Sequence, residues 1–112
     1  MTGEDAVEDL PSLPAYAEDV LDVVDTIPPG CVLAYGDVAR LVGRGGPRGV
    51  GRVMAHYGAL TSWWRVIRAD GRPPPHHERE ALAHYRQEGT PLRGDRVDMT
   101  RARPPFAPHR PV

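Results

Sequence analysis

Two short helical patterns joined by a glycine-rich turn are the feature that most constrains the fold of this 112-residue chain. Apolar residues at helical spacing predict one helix over 35–42 and a second over 47–57. Gly43 is well suited to end the first helix, and Pro47 is well suited to the first position of the second. Arg44-Gly45-Gly46 then forms a tight turn between them. The pattern predicts a helix-turn-helix.

Further elements are predicted on both sides of this pair. Helical periodicity over 16–27 stops at Pro28-Pro29-Gly30, and a last helix is predicted over 77–88. Residues 63–67 are rich in β-forming side chains and predict a short strand, which a turn at Asp70-Gly71 follows. The predicted fold class is therefore mainly α, a winged helix-turn-helix DNA-binding domain with a short β wing.

The chain has the length of one domain, and two flanking segments differ from it in composition. Residues 1–14 are acidic and predict a flexible N-terminus, and residues 15–92 are predicted to form the winged-helix domain. Residues 93–112 are rich in arginine and proline and are predicted to be largely disordered.

The apolar segments and the single cysteine of the sequence limit its expected cellular location and its covalent chemistry. It has no apolar run long enough for a membrane span and no pattern of a secretory signal, so we expect a cytoplasmic protein with no membrane partner. A single cysteine, Cys31, excludes an internal disulfide framework and a cysteine-rich zinc site.

Charge is separated along the chain. Residues 1–26 contain eight acidic residues and no basic one, whereas residues 40–72 contain seven arginines and one acid, Asp70. Such a concentration of arginine is an electrostatic footprint for phosphates. Arg48 and Arg52 share one face of the second helix, and Gly49 and Gly51 keep that helix flat enough for another backbone to approach. A plain solvated face is the alternative. All 14 of the Lys and Arg residues are arginine, so the number of arginines in this stretch also follows from the overall composition.

Four short motifs then follow one another in a specific order. They are Ile27-Pro28-Pro29-Gly30, Ala34-Tyr35-Gly36-Asp37-Val38-Ala39, Arg48-Gly49-Val50-Gly51-Arg52-Val53-Met54 and Ser62-Trp63-Trp64-Arg65-Val66-Ile67. In this order and spacing they resemble the DNA-binding domain of O6-alkylguanine-DNA alkyltransferases, and more closely the alkyltransferase-like proteins. The resemblance covers about residues 16–92.

The resemblance bears directly on catalysis. Alkyltransferases carry Pro-Cys-His-Arg-Val at the last motif, and Ser62, Trp63 and Trp64 stand at its first three positions. An indole offers neither a thiolate nor an exchangeable base, so alkyl transfer by the family mechanism is impossible here. Alkyltransferase-like proteins also have tryptophan at the cysteine position; they bind O6-alkylguanine without repairing it and flag it for other machinery, notably nucleotide excision repair.

The resemblance therefore implies a non-enzymatic sensor of DNA damage. Its expected partners are double-stranded DNA containing O6-alkylguanine and, further on, nucleotide excision repair proteins. We expect a monomer that needs no cofactor and no metal. A transcription regulator or architectural DNA binder without lesion preference is the alternative from a different class.

DNA-binding roles carry over to individual positions. Tyr35 matches the tyrosine that presses on the 3′ phosphate and helps to rotate the nucleotide, and Arg48 matches the arginine that fills the gap left by the flipped base. Gly49, Gly51 and Arg52 match the recognition helix, which lies in the minor groove in this family. Extrusion is required because O6 cannot be inspected while the base is stacked.

A lesion pocket is expected around the last motif, from Trp63, Trp64, Arg65 and Val66. Trp63 is the expected aromatic wall, since stacking on an extruded base is worth ~1–3 kcal/mol. A purely structural role in the core is the alternative for both tryptophans. Glu88 matches the glutamate of the family's histidine–glutamate relay and, without that histidine, is expected to be structural.

Three questions stay open from the sequence. The arginine that reads the guanine in some family members corresponds to Arg72, to Arg79 or to no residue. Cys31 is the only alternative nucleophile, although it is far in sequence from the family's site. His76-His77-Glu78 invites a metal interpretation, but adjacent histidines rarely point at one centre.

Overall fold

A computed structural model describes residues 12–108, with side chains from residue 15 onward. Its helices are α1 (Ser12–Asp25), α2 (Tyr35–Val42), α3 (Pro47–Tyr57), α4 (Glu78–Glu88) and α5 (Met99–Ala102). Its strands are β1 (Leu33–Ala34), β2 (Val66–Ile67), β3 (Leu92–Arg93) and β4 (Arg96–Val97). The predicted mainly α helix-turn-helix class is confirmed. No helix in the described part of the chain is long and apolar enough to cross a membrane.

The turn between α2 and α3 forms as its glycines predict. Gly43 ends α2 in the left-handed region at φ 91°, with its N–H bonded to Ala39 O at 2.9 Å. Gly45 is also left-handed, and a Cβ there would collide with the Tyr16 hydroxyl, which donates to Arg44 O at 3.2 Å. Pro47 begins α3. Helix α1 thus presses on the turn and holds α2 against α3.

Two hydrophobic clusters lie on opposite sides of the short β1–β2 pair. The strands are parallel, with Leu33 opposite Val66 and Ala34 opposite Ile67. Because successive strand residues point to opposite faces, Leu33 and Val66 join the cluster formed by α1, α2 and α3. Ile67 joins the second cluster, whose largest member is Tyr85 of α4. The β1–β2 pair therefore connects the helix-turn-helix to the C-terminal half.

The strand predicted over 63–67 is largely wrong. Trp63–Arg65 forms a turn of 3-10 helix, and only Val66–Ile67 is extended. Moreover, β2 pairs in parallel with β1 rather than forming a hairpin wing of its own. The hairpin of the molecule lies beyond α4, where Leu92 pairs with Val97 in the antiparallel β3–β4. The rings of Trp63 and Trp64 both pack on His84 of α4, so contacts with a distant helix rather than local β propensity decide the conformation here.

The flanking segments also differ from prediction. The helix begins at Ser12, inside the N-terminal segment predicted to be flexible, and residues 1–11 lie outside the described residues. Disorder over 93–112 is wrong for residues 93–108, because Val97 and Ala102 insert into the second cluster. Composition favoured disorder since arginines and prolines dominate, but two buried apolar side chains anchor the segment. Residues 109–112 lie outside the described part.

Candidate nucleic-acid interface

A cavity of about 530 Å³ opens beside α3. The start of α2, one side of α3, the 3-10 turns after it, the loop before α4 and the first turn of α4 supply its walls. Its lining residues are Tyr35, Gly51, Met54, Ala55, Gly58, Ala59, Trp63, Pro74, Pro75, His76, His77 and Glu80. The lining is mainly apolar, and Tyr35, His76, His77 and Glu80 add polar groups to it; this combination suits a flat heterocycle with a few polar edge groups.

The outer face of α3 carries the arginines that sequence analysis assigned to DNA. Arg48 and Arg52 are both exposed one turn apart, and no described acidic side chain forms an ion pair with either. Gly51 faces open space and also lines the cavity. Gly49 differs from its prediction, because the position of its missing Cβ faces the Tyr16 ring at 3.4 Å rather than a free surface.

The arginine-rich stretch is less uniformly available than its sequence indicates. Arg44 pairs with Asp19 at 2.6 Å, Arg65 with Glu88 at 2.7 Å and Arg72 with Asp70 at 3.3 Å. Each of these three arginines already pairs with a carboxylate of the same chain, at the surface for Arg44 and Arg72 and largely buried for Arg65. The helix-borne pair Arg48 and Arg52 therefore forms the part of the patch best suited to an external anion.

Tyr35 stands at the first position of α2 and reaches the cavity. Burial raises the pKa of its phenol above the ordinary value, and the nearby charge of Arg68 opposes the shift. The hydroxyl therefore stays protonated at neutral pH and is able to donate a hydrogen bond to a phosphate. Tyr35 thus stands at the cavity wall, and the phosphate contact that the resemblance implies for it stays a prediction.

Trp63 is the member of the predicted lesion pocket that lines the cavity. Three rings surround it, with centroids at 5.6 Å for His77, 5.7 Å for Trp64 and 5.8 Å for His84. The last two contacts are edge-to-face, a favourable aromatic geometry. Trp63 is therefore a braced aromatic wall rather than a freely moving side chain.

Trp64 and Arg65 turn away from the cavity into a group we call the Glu88 cluster, made of Trp64, Arg65, Glu88 and the Gly30 N–H. Arg65 donates to Glu88 through Nε at 3.2 Å and Nη2 at 2.7 Å, and to Ile27 O at 3.0 Å. The Trp64 indole N–H and the Gly30 N–H donate to the same carboxylate at 3.0 and 3.1 Å. Four donated bonds saturate Glu88, which confirms its expected structural role.

The electrostatics of the Glu88 cluster follow from these contacts. Burial alone would raise the pKa of Glu88, but the hydrogen bonds from Arg65, Gly30 and Trp64 and the charge of Arg65 outweigh it and hold the pKa below its ordinary value. The Glu88 carboxylate is thus held ionised at neutral pH. The Trp64 ring also stacks on His84, with ring centroids 3.6 Å apart and ring planes 3° from parallel.

Of the four residues expected to form the lesion pocket, the structure brings one, Trp63, to the wall of this cavity. Trp64 and Arg65 belong to the Glu88 cluster, and Val66 is fully buried in the core, so none of the three lines the cavity. Neither Arg72 nor Arg79 lines it. Cys31 is only half-buried, but it too is absent from the lining.

Sequence reasoning missed much of the cavity wall. The sequence suggests only a metal-binding role for His76 and His77, and it gives no sign that Glu80 or Met54 belongs to a binding site. Among the described residues no group of histidine, cysteine, aspartate and glutamate is arranged to hold a metal. His77 Nδ1 instead lies 3.1 Å from Glu80 Oε1. The run of prolines before His76 was the available signal, since it forces an extended loop that brings the histidines to the cavity.

Comparison with known proteins was made at the level of families, curated sequences and solved structures. The family model for the 6-O-methylguanine DNA methyltransferase DNA-binding domain matches residues 15–89. No curated protein matches the chain. The structure of S. pombe Atl1 in complex with damaged DNA containing O6-carboxymethylguanine is similar, with a TM-score of 0.70 and 26% identity over 80% of this chain and 94% of Atl1.

The matched region contains α2, the glycine turn, α3, Trp63 and the Glu88 cluster. It therefore spans both the candidate interface and the residues that brace it. A model matching two thirds of the chain, together with an Atl1-like helix-turn-helix, assigns the family: the chain belongs to the 6-O-methylguanine DNA methyltransferase DNA-binding domain family and is alkyltransferase-like.

Proposed function

We propose that this protein is a non-enzymatic sensor that binds O6-alkylguanine in double-stranded DNA by base flipping and marks it for nucleotide excision repair. One observation carries the proposal: an indole, that of Trp63, lines the cavity beside α3. Atl1, a structurally similar protein, forms a complex with damaged DNA containing O6-carboxymethylguanine. The protein acts as a monomer in this proposal.

The proposed steps use side chains on the two walls of the interface. Arg48 enters the duplex and fills the space of the extruded base, while Tyr35 presses on the adjacent phosphate. Extrusion costs a few kcal/mol, which stacking on Trp63 offsets in part, at ~1–3 kcal/mol. A cavity of about 530 Å³ has room for a guanine with an alkyl substituent.

No alkyl transfer accompanies binding in this proposal. A thiolate is the nucleophile that alkyl transfer requires, and the cavity lining contains no cysteine. We therefore expect the guanine to leave the site unchanged. Recruitment of repair proteins would then depend on the presence of the bound complex rather than on a chemical change in the guanine.

The direct test measures affinity for one duplex with and without a single O6-methylguanine. Tighter binding of the methylated duplex supports lesion sensing, whereas equal binding would indicate a DNA binder without lesion preference. Incubation with labelled methylguanine duplex should leave the protein unlabelled. Label on the wild type that disappears in Cys31→Ser would overturn the non-enzymatic assignment.

Salt dependence tests the contribution of α3. Each phosphate contact contributes about −0.9 to the slope of log K against log salt concentration. Arg48→Ala and Arg52→Ala should each weaken DNA binding. Substitution of a residue that contacts a phosphate should also reduce the magnitude of the salt slope by about 1. Arg101→Ala is the matched control, because Arg101 is an exposed arginine on α5, outside α3 and its cavity. A flat salt profile in the wild type would contradict phosphate binding by this face.

A further inference from the structure

The segment after the family match is folded against the helix that begins the interface. The family model ends at residue 89, whereas β3, β4 and α5 lie beyond it. Ala102 O accepts the Val32 N–H at 3.0 Å immediately before β1, and Gly71 O accepts the Val97 N–H at 2.9 Å. We call residues 92–108 the C-terminal strap. It crosses from α4 back to the junction of β1 and α2.

Arg103 makes the strap's polar contact with α2. Its Nε and Nη2 donate to the two carboxylate oxygens of Asp37 at 3.1 and 3.0 Å, a bidentate geometry that is directional as well as strong. The two side chains are only 17% and 8% exposed. Nη2 also donates to Pro108 O at 2.7 Å, which folds the end of the strap over the pair.

Asp37 in turn sets the beginning of α2. Its Oδ2, which accepts from Arg103, also accepts the Ala34 N–H at 3.2 Å. Ala34 is the residue before the helix, and Tyr35 is the first residue within it. One carboxylate therefore connects the strap to the backbone from which Tyr35 reaches the cavity.

We propose that Arg103 is a positioning residue for DNA binding, and that the C-terminal strap acts through Asp37 to hold Tyr35 at the cavity. The proposal rests on the proposed function only for the role of Tyr35. Without the Arg103 fork, Asp37 loses its fixed orientation, the first turn of α2 loosens and Tyr35 samples other directions. Binding then weakens because the tyrosine must be ordered when DNA arrives.

The test combines two measurements on the full chain. Hydrogen exchange without DNA reports whether the start of α2 loosens, through the amides of residues 34–38, with Val20 and Val24 in α1 as the reference. Affinity for the methylated duplex is measured for Arg103→Ala in the wild-type and Tyr35→Ala backgrounds, at low salt so that weak binding stays measurable. Arg101→Ala is the matched control, because Arg101 is an exposed arginine on α5 and its substitution removes the same charge.

Three results are expected. Arg103→Ala speeds hydrogen exchange at residues 34–38 while α1 keeps its protection. Arg101→Ala leaves exchange at residues 34–38 unchanged. Arg103→Ala weakens binding about tenfold in the wild type, within the usual range of coupling between residues of one network. In the Tyr35→Ala background the same change has no further effect, as required if Arg103 acts through Tyr35.

Other results overturn the proposal. Unchanged exchange at residues 34–38 would do so, as would an equal loss of affinity in both backgrounds or the same loss in Arg101→Ala. If Arg103→Ala does not fold, Arg103→Lys takes its place, since lysine keeps the charge but not the fork; protection lost equally across α1 and α2 in that variant also overturns local positioning. If the wild type binds both duplexes equally, the proposed function fails, while exchange and affinity for plain duplex still decide the role of the strap.

Discussion

Trp63 and Trp64 are neighbours in the chain, but they lie in two regions of opposite character. Trp63 lines an open cavity beside the arginine-bearing helix. Trp64 belongs to the Glu88 cluster, where its N–H is bonded to a carboxylate and its ring is stacked on His84. The polar groups of the Glu88 cluster are satisfied within the protein, whereas the cavity presents its rings to open space. The cluster therefore serves stability, and the cavity remains available for binding.

The strongest test of this comparison removes the charge at the centre of the Glu88 cluster. Glu88→Gln leaves the buried Arg65 guanidinium without a counter-ion, so the free energy of unfolding should fall by ~3–5 kcal/mol. Chemical denaturation measures the change. Asp70→Asn is the matched control, because it makes the same carboxylate-to-amide change in an exposed arginine pair and should have no measurable effect. Equal effects of the two variants would remove the distinction between the regions.

A second test separates the two indoles. Trp64→Phe keeps an aromatic ring against His84 but removes the N–H donor to Glu88, and loss of a hydrogen bond to a charged group should lower stability by ~1.5–3 kcal/mol. The Trp64→Phe variant should discriminate between duplexes with alkylated and plain guanine as well as the wild type does. Trp63→Phe serves as the control for stability and should melt close to the wild type. Altered lesion discrimination in Trp64→Phe would extend the binding site into the cluster.

Trp63→Ala tests the other side of the comparison. Affinity for duplex containing O6-methylguanine should fall by ~1–3 kcal/mol, the worth of one stacked base, and the difference from plain duplex should narrow. Circular dichroism and thermal melting establish that the variant is folded. An unfolded variant would assign Trp63 to the core, and a folded variant with unchanged discrimination would show that the cavity does not receive the base.

The smallest expected effect is the pH dependence of the Glu88 cluster. Because the hydrogen bonds and charge of Arg65 hold the pKa of Glu88 in the folded protein below the ordinary value of 4.5, the unfolded chain takes up the proton first as the pH falls. The contribution of ionised Glu88 to the free energy of unfolding is full above about pH 4.5, and it is lost as the pH falls through the lower pKa of the folded state. Wild type should therefore lose more stability on acidification than Glu88→Gln. Parallel curves for the two proteins, measured by denaturation at each pH, would contradict a depressed pKa.

Local chemistry was enough to predict the helix-turn-helix. The bounds of α2 and the start of α3 follow from Gly43, Pro47 and the apolar spacing between them, because caps and turns depend on a few adjacent residues. The same locality explains why Arg48 and Arg52 were placed correctly on one exposed face. The family resemblance carried by the motifs also implied Trp63 as the aromatic wall, and Trp63 does line the cavity beside α3.

Contacts between distant residues decided the rest. Trp64 and Glu88 are 24 residues apart, and Asp37 and Arg103 are 66 apart. Composition predicted disorder over 93–112 because it counts arginines and prolines, but the fold orders residues 93–108 by burying Val97 and Ala102 and by pairing Arg103. Adjacent tryptophans are equivalent in a sequence and become different only when α4 supplies His84 and Glu88 to one of them. Local propensity determines which elements form, whereas burial and long-range pairing determine which side chains are left to bind.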